Sequence, residues 1–109
     1  MPKIKIPSSI SIGAHSFRIR YHSSDSLKDD GLDGVINHRT QVIEINSSRS
    51  PSQQMEAFIH ETLHGINATY AKSDLSEHQI GHIAEGLAQV FKELGIELDW
   101  GCFAEKAKK

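Results

Sequence analysis

The chain has 109 residues and a formal net charge of −2, and 38% of its residues are hydrophobic. This length predicts a single domain over residues 1–109, and the near-neutral charge gives no reason to expect a nucleic acid or an anionic membrane as partner. No apolar run approaches the roughly 20 residues that cross a bilayer, and the N-terminus lacks the apolar core of a signal peptide. Cys102 is the only cysteine, which excludes an internal disulfide and fits a reducing compartment. We therefore expect a cytoplasmic protein.

The first half of the chain, residues 1–49, has the alternation of polar and apolar residues that is typical of β-strands. In one such segment Phe17, Ile19 and Tyr21 fall on the same face. A stretch rich in Ser, Asp and Gly over residues 23–34 predicts a loop. The segments with strand character are residues 3–6, 9–12, 17–21, 35–36 and 41–45.

Residues 50–95 follow a helical period instead. Ser50 suits the N-cap of a helix, Pro51 suits its first position, and Gln53 completes a capping box with Ser50. Apolar residues then recur at helical spacing and predict a stripe that faces the core, formed by Met55, Ile59, Leu63 and Ile66.

A second helix is predicted to begin at Asp74, with Glu77 as the partner of Asp74 in a capping box, and to end before Gly95. Its apolar stripe is expected to face the core and consists of Ile80, Ile83, Ala84, Leu87, Val90, Phe91 and Leu94. Residues 96–109 are expected to form a closing segment and a solvated tail. Together these elements predict an α+β fold, in which a small sheet of three or four strands packs on two main helices.

The most informative stretch is His60-Glu61-Thr62-Leu63-His64, which reads H-E-x-x-H. On a helix, two imidazoles at this spacing lie one turn apart on the same face and can bind one zinc ion. Glu61 can then act as the general base toward a water held by that ion. The motif therefore predicts a zinc-dependent hydrolase, with peptide bonds as the expected substrate.

A catalytic zinc ion usually has three protein ligands and one open position. The candidates for the third ligand that follow the motif are Glu77, His78, His82 and Glu85. On a helical projection Glu77 lies closest to the direction of the apolar stripe, and His78 lies farthest from it. Glu77 is therefore expected to point best toward the two motif histidines. A capping role is a competing explanation for Glu77, and the other three candidates stay open.

A resemblance to known proteins covers most of the chain and rests on four features. They are the strands over residues 34–36 and 42–45, a Ser-Pro helix start at residues 50–51, the motif helix over residues 58–66, and a second helix that begins with an acidic residue and includes residues 83–91. The chain resembles small phage and prophage H-E-x-x-H proteins, related to the minimal metallopeptidase domains of the ImmA/IrrE type. The resemblance implies a minimal zincin-like fold, zinc ligation by His60 and His64, a catalytic base at Glu61 and a third ligand at Glu77.

Two functions follow as hypotheses. The first is a zinc metallopeptidase acting on a protein or peptide substrate, which could extend a sheet by pairing with an exposed edge strand over residues 42–45. The residues considered for stabilising the oxyanion of that reaction are Tyr70, His78, His82 and His38. The second is a catalytically silent metal-binding module, such as a phage or prophage regulator. Glu61 favours the enzyme, because a purely structural zinc site needs no base.

Overall fold

The computed structural model describes residues 3–23, 31–70, 72 and 74–103. Within these residues there are six strands and two long helices: β1 (Lys3–Lys5), β2 (Ser9–Ile12), β3 (His15–His22), β4 (Gly34–Asn37), β5 (Val42–Asn46), α1 (Pro51–Tyr70), α2 (Glu77–Glu93) and β6 (Glu97–Asp99). The predicted α+β class is confirmed, and both helices follow the four-stranded sheet on which α1 packs. Of the predicted loop, residues 24–30 lie outside the described residues.

The main sheet has the strand order β2-β3-β5-β4. Strands β3 and β5 run parallel, and β2 and β4 flank them in antiparallel pairings. Alternate residues of β5, Ile43 and Ile45, are fully buried beneath α1. The expectation that residues 42–45 form an exposed edge is wrong, because β4 pairs with β5 along its outer side. Strand β4 is an edge of this sheet instead.

A second, two-stranded sheet joins the two ends of the described chain. Strand β1 pairs in parallel with β6, and Lys3 lies opposite Glu97 while Lys5 lies opposite Asp99. Directly after β6, the Trp100 ring stacks on the Tyr21 ring with centroids 4.5 Å apart. The closing segment therefore covers one end of the core.

Helix α1 begins as predicted and lies very close to the sheet. The Gln53 backbone N–H donates to Ser50 Oγ at 3.3 Å, and the Ser50 N–H donates to Gln53 Oε1 at 3.0 Å, which confirms the capping box. Farther along, Gly65 is buried, and a Cβ atom at this position would lie 2.6 Å from Ile12 Cδ1 and 3.3 Å from Ile36 Cδ1. A side chain here would have to displace the end of the Ile12 side chain, so glycine favours this close approach of the helix to the strands.

The start of α2 differs from the prediction. The N-cap is Ser76, whose Oγ accepts a hydrogen bond from the Gln79 N–H at 3.1 Å, while Gln79 Oε1 accepts one from the Ser76 N–H at 2.8 Å. The prediction that Asp74 and Glu77 form the capping pair is therefore wrong. The sequence contains two overlapping pairs of capping residues, and the structure uses the later one. Glu77 becomes the first helical residue, and its carboxylate is free for another role.

The apolar stripe of α2 is only partly buried. Ile80 and Ala84 are 1% and 0% exposed, respectively. Four residues of the predicted stripe are instead exposed by 37–63%: Ile83, Leu87, Val90 and Leu94. The reason is the layering of the fold, since α2 packs chiefly on α1 and the sheet lies against α1.

Among the described residues, no helix combines the length and apolar character that crossing a bilayer requires.

The capping of α2 gives a first test. Changing Ser76 to Ala removes the acceptor for the Gln79 N–H, and we expect it to lower the free energy of unfolding by about 1 kcal/mol. Changing Asp74 to Ala is the matched control and should cost clearly less, because Asp74 does not cap the helix. Urea denaturation followed by circular dichroism measures both; an equal or larger loss for Asp74→Ala would contradict the capping assignment.

Candidate metal centre

His60 and His64 lie one turn apart on α1, on the flank that faces the first turn of α2. Their Nε2 atoms are 3.2 Å apart and their ring centroids are 4.9 Å apart. The two side chains are 23% and 24% exposed, so each is largely enclosed by its surroundings and still reachable from solvent. On α2, Gly81 lies beside the first ring, and a Cβ atom there would be in ordinary contact with His60 Cε1 at 3.9 Å.

Glu77 brings a carboxylate from α2 to the two imidazoles. Glu77 Oε1 lies 2.7 Å from His60 Nε2, and Glu77 Oε2 lies 2.6 Å from His64 Nε2. The side chain is 69% exposed and takes no part in the capping box of Ser76. Of the four sequence candidates for a third ligand, the structure brings Glu77 to the histidines.

The three side chains fit a zinc ion. Their potential ligand atoms all lie within 4.8 Å of one another, and two imidazoles with one carboxylate are a donor set that catalytic zinc sites use. Atoms bound tetrahedrally at about 2.0–2.1 Å from an ion lie about 3.3–3.4 Å apart, and the 3.2 Å between the Nε2 atoms is close to this separation. The shorter contacts of Glu77 are hydrogen bonds, which the exposed carboxylate can lengthen at little cost.

Asn67 holds the segment that leads into Glu77. Its side chain is buried, with 6% exposure. Its Nδ2 donates to the Leu75 carbonyl at 3.1 Å, and its Oδ1 accepts from the Leu75 N–H at 3.0 Å. One amide thus satisfies both backbone groups of a residue that lies two positions before Glu77. Sequence reasoning did not single out Asn67; the available signal was an amide three residues after His64, on the side of α1 that turns toward α2.

Glu61 lies on the side of α1 that faces the edge strand β4. One turn before it, Ala57 lies against Gly34, where a Cβ atom would be 3.4 Å from Ala57 Cβ. One turn after it, Gly65 lies against Ile36. Residues four apart share one helix face, so Glu61 lies between these two contacts and borders both β4 and the histidine pair.

The environment of Glu61 alters its protonation. Burial raises the pKa of this carboxyl from 4.5 to about 7, the charge of His60 acts in the opposite direction, and the Glu77 carboxylate adds to the rise. A cation bound beside Glu61 would favour its ionised form, because it opposes the effect of burial.

The remaining sequence candidates lie elsewhere. His78 and His82 contact each other on the outer face of α2, and Glu85 does not join the cluster. His38 lies edge-on to Phe17, and Tyr70 is exposed at the end of α1. Within the described part of the chain, none of these residues belongs to the three-ligand group.

Comparison of the chain with protein-family models, with curated proteins and with solved structures yields no match.

The role of Asn67 can be tested through zinc affinity. Changing Asn67 to Ala releases Leu75 and the start of α2, so Glu77 is no longer held beside the histidines. We expect the zinc affinity of the folded protein to fall about 10–100-fold, the range seen when a group that orients a metal ligand is removed. Competition with a chromophoric chelator measures the affinity.

Gln54 provides the matched control. It is a second buried amide on α1, with 5% exposure, and its Nε2 donates to the carbonyls of Ser47 and Arg49 at the far end of the helix. Gln54→Ala should destabilise the fold and leave zinc affinity unchanged at a temperature at which the variant is folded. Equal losses of affinity in the two variants would show that Asn67 acts only through general stability.

The raised pKa of Glu61 predicts a pH effect on the metal-free protein. Its folded-state pKa of about 7 exceeds the value of 4.5 expected when the chain is unfolded. The carboxyl therefore favours folding below pH 4.5, and this contribution is lost as the pH rises toward about 7. Glu61→Gln should become increasingly more stable than the wild type over this interval. Thermal denaturation at a series of pH values, with a chelator present, measures the difference in stability between the variant and the wild type. Glu85→Gln is the control for the loss of one charge. A stability difference that does not depend on pH would contradict the raised pKa of Glu61.

Proposed function

We propose that this protein is a zinc-dependent hydrolase of peptide bonds. The observation that carries the proposal is the meeting of His60, His64 and Glu77 across two helices, with Glu61 beside them. Three ligands from two elements leave a position on the ion for a reacting group, as in catalytic zinc sites. A structural zinc site would have no need of a partly buried carboxylate next to the ion.

The roles of the residues follow from their positions. His60 and His64 would hold the ion through Nε2, and Glu77 would hold it through a carboxylate oxygen. The ion would supply a Lewis acid and a bound water of lowered pKa. The Glu61 carboxylate would accept a proton from the attacking water and return it to the leaving amine.

The substrate would lie along strand β4. This strand is an edge of the main sheet and lies against α1 on both sides of Glu61. An extended peptide that pairs with an edge strand gains main-chain hydrogen bonds regardless of its side chains. A peptide bound there would pass between β4 and the histidine pair, which brings its carbonyl groups close to Glu61.

A second candidate function is a catalytically silent metal-binding module, such as a phage or prophage regulator that binds another protein. It is favoured by the exposed apolar side chains of α2, since Ile83, Leu87 and Val90 are 40%, 37% and 50% exposed. Exposed apolar patches of this kind often mark protein interaction sites. In this alternative, zinc would join α1 to α2 without reacting.

Substitution of Glu61 separates the two functions. We expect Glu61→Gln to keep one zinc ion per chain and to lower kcat/KM for a mixture of fluorogenic peptides by about 10²–10⁴-fold, because the general base is lost. His64→Asn should lose zinc and hydrolysis together. Zinc is counted by plasma mass spectrometry, and hydrolysis is followed by fluorescence.

Glu56→Gln is the control for this experiment, since Glu56 lies on α1 one turn before His60 and outside the three-ligand cluster. It should retain both zinc and hydrolysis. A zinc-loaded wild type that hydrolyses none of the peptides would support the silent module, and hydrolysis by Glu61→Gln at the wild-type rate would reject Glu61 as the base.

A further inference from the structure

His78 and His82 form a second pair of imidazoles outside the candidate metal centre. They lie four residues apart on α2, both are exposed, and their ring centroids are 4.2 Å apart with an interplanar angle of 58°. The corresponding values for His60 and His64 are 4.9 Å and 52°. The outer face of α2 thus repeats the arrangement of two rings that α1 presents to the candidate metal centre.

The nitrogen atoms of this second pair are available to a ligand. In the part of the chain that the structure describes, neither His78 nor His82 makes a hydrogen bond or an ion pair, and their contact is with each other. A neutral imidazole has a lone pair on one ring nitrogen. Two of them at this spacing on a helix can therefore bind one ion together.

The surrounding charge favours a cation. From Asp74 to Phe91 the sequence contains three carboxylates, at Asp74, Glu77 and Glu85, and no lysine or arginine. Glu85 lies one turn beyond His82 on α2. Lys72 and Lys92 flank this stretch. Within it the carboxylates outnumber the fixed positive charges, which favours a divalent cation over an anion.

We propose that His78 and His82 form a second metal site, which takes a divalent ion that prefers imidazole ligands. Zn²⁺, Ni²⁺ and Cu²⁺ belong to this class, whereas Mg²⁺ and Ca²⁺ prefer oxygen ligands. Among the described residues, no third side chain completes a three-ligand group with this pair. Water fills the remaining positions, so this site binds its ion more weakly than the three-ligand centre and exchanges it with solvent.

Titration calorimetry of the metal-free chain with Zn²⁺ and with Ni²⁺ tests the proposal. The wild type is expected to bind two equivalents in two steps, and Mg²⁺ is expected to produce no second step. His82→Asn and, separately, His78→Asn should each lose the weaker equivalent and keep the tighter one. Both side chains are exposed, and circular dichroism verifies that the variants are folded.

Two controls make the result specific. His38→Asn removes a different exposed histidine and should retain both equivalents. A variant in which His60 and His64 are both changed to Asn should lose the tighter equivalent and keep the weaker one, so the second site is tested even if the proposed hydrolase centre fails. Absence of ion binding by the variant that lacks His60 and His64, a weaker equivalent that persists without His78 or His82, or its loss in His38→Asn would each overturn the proposal.

Discussion

The packing of α1 between the sheet and α2 is the constraint on which the rest of the structure depends. One side of the helix touches the strands at Gly65, where a side chain would have to displace the end of Ile12, and another side buries Ile59 against α2. A helix that is fixed on two sides cannot rotate about its axis. Because His60 and His64 lie between those two sides, their direction is set by the core and does not depend on a ligand.

The same packing explains the raised pKa of the Glu61 carboxyl. The residue shares a helix face with Ala57 and Gly65, both of which contact β4, so its carboxyl is taken partly out of water. A carboxyl in such a place is unfavourable for folding when it is ionised. A cation at the neighbouring histidines would compensate for this cost, whereas an apolar residue at position 61 would avoid it. Perturbed carboxyl groups of this kind occur more often at functional sites than elsewhere, which is consistent with the role proposed for Glu61.

Local features of this fold could be predicted from the sequence, and features set by distant contacts could not. The Ser50 capping box and the one-turn spacing of the motif histidines are local, and both were correctly predicted. The sequence around the start of α2 contains two possible capping pairs, and the structure uses the later one, next to Leu75, whose backbone is bound by Asn67 from another helix. Likewise, the alternation in residues 42–45 identifies a strand with one buried face but contains no information about which neighbour lies on either side. The exposed part of the α2 stripe has the same origin, since a sequence pattern shows that a face is apolar but not whether a partner covers it.

The attachment of α2 connects the stability of the fold to the candidate centre. This helix is fixed by two buried side chains, Ile80 and Ala84, and by the clamp of Asn67 at its start, while much of its apolar surface faces solvent. An ion held by His60, His64 and Glu77 would join the first turn of α2 directly to the middle of α1. Any ligand that binds only the native arrangement stabilises it by mass action, by about 2.7 kcal/mol at a hundredfold excess over its Kd. The stabilisation would act at the interface between the two helices, so metal binding and the docking of α2 would form a single coupled equilibrium.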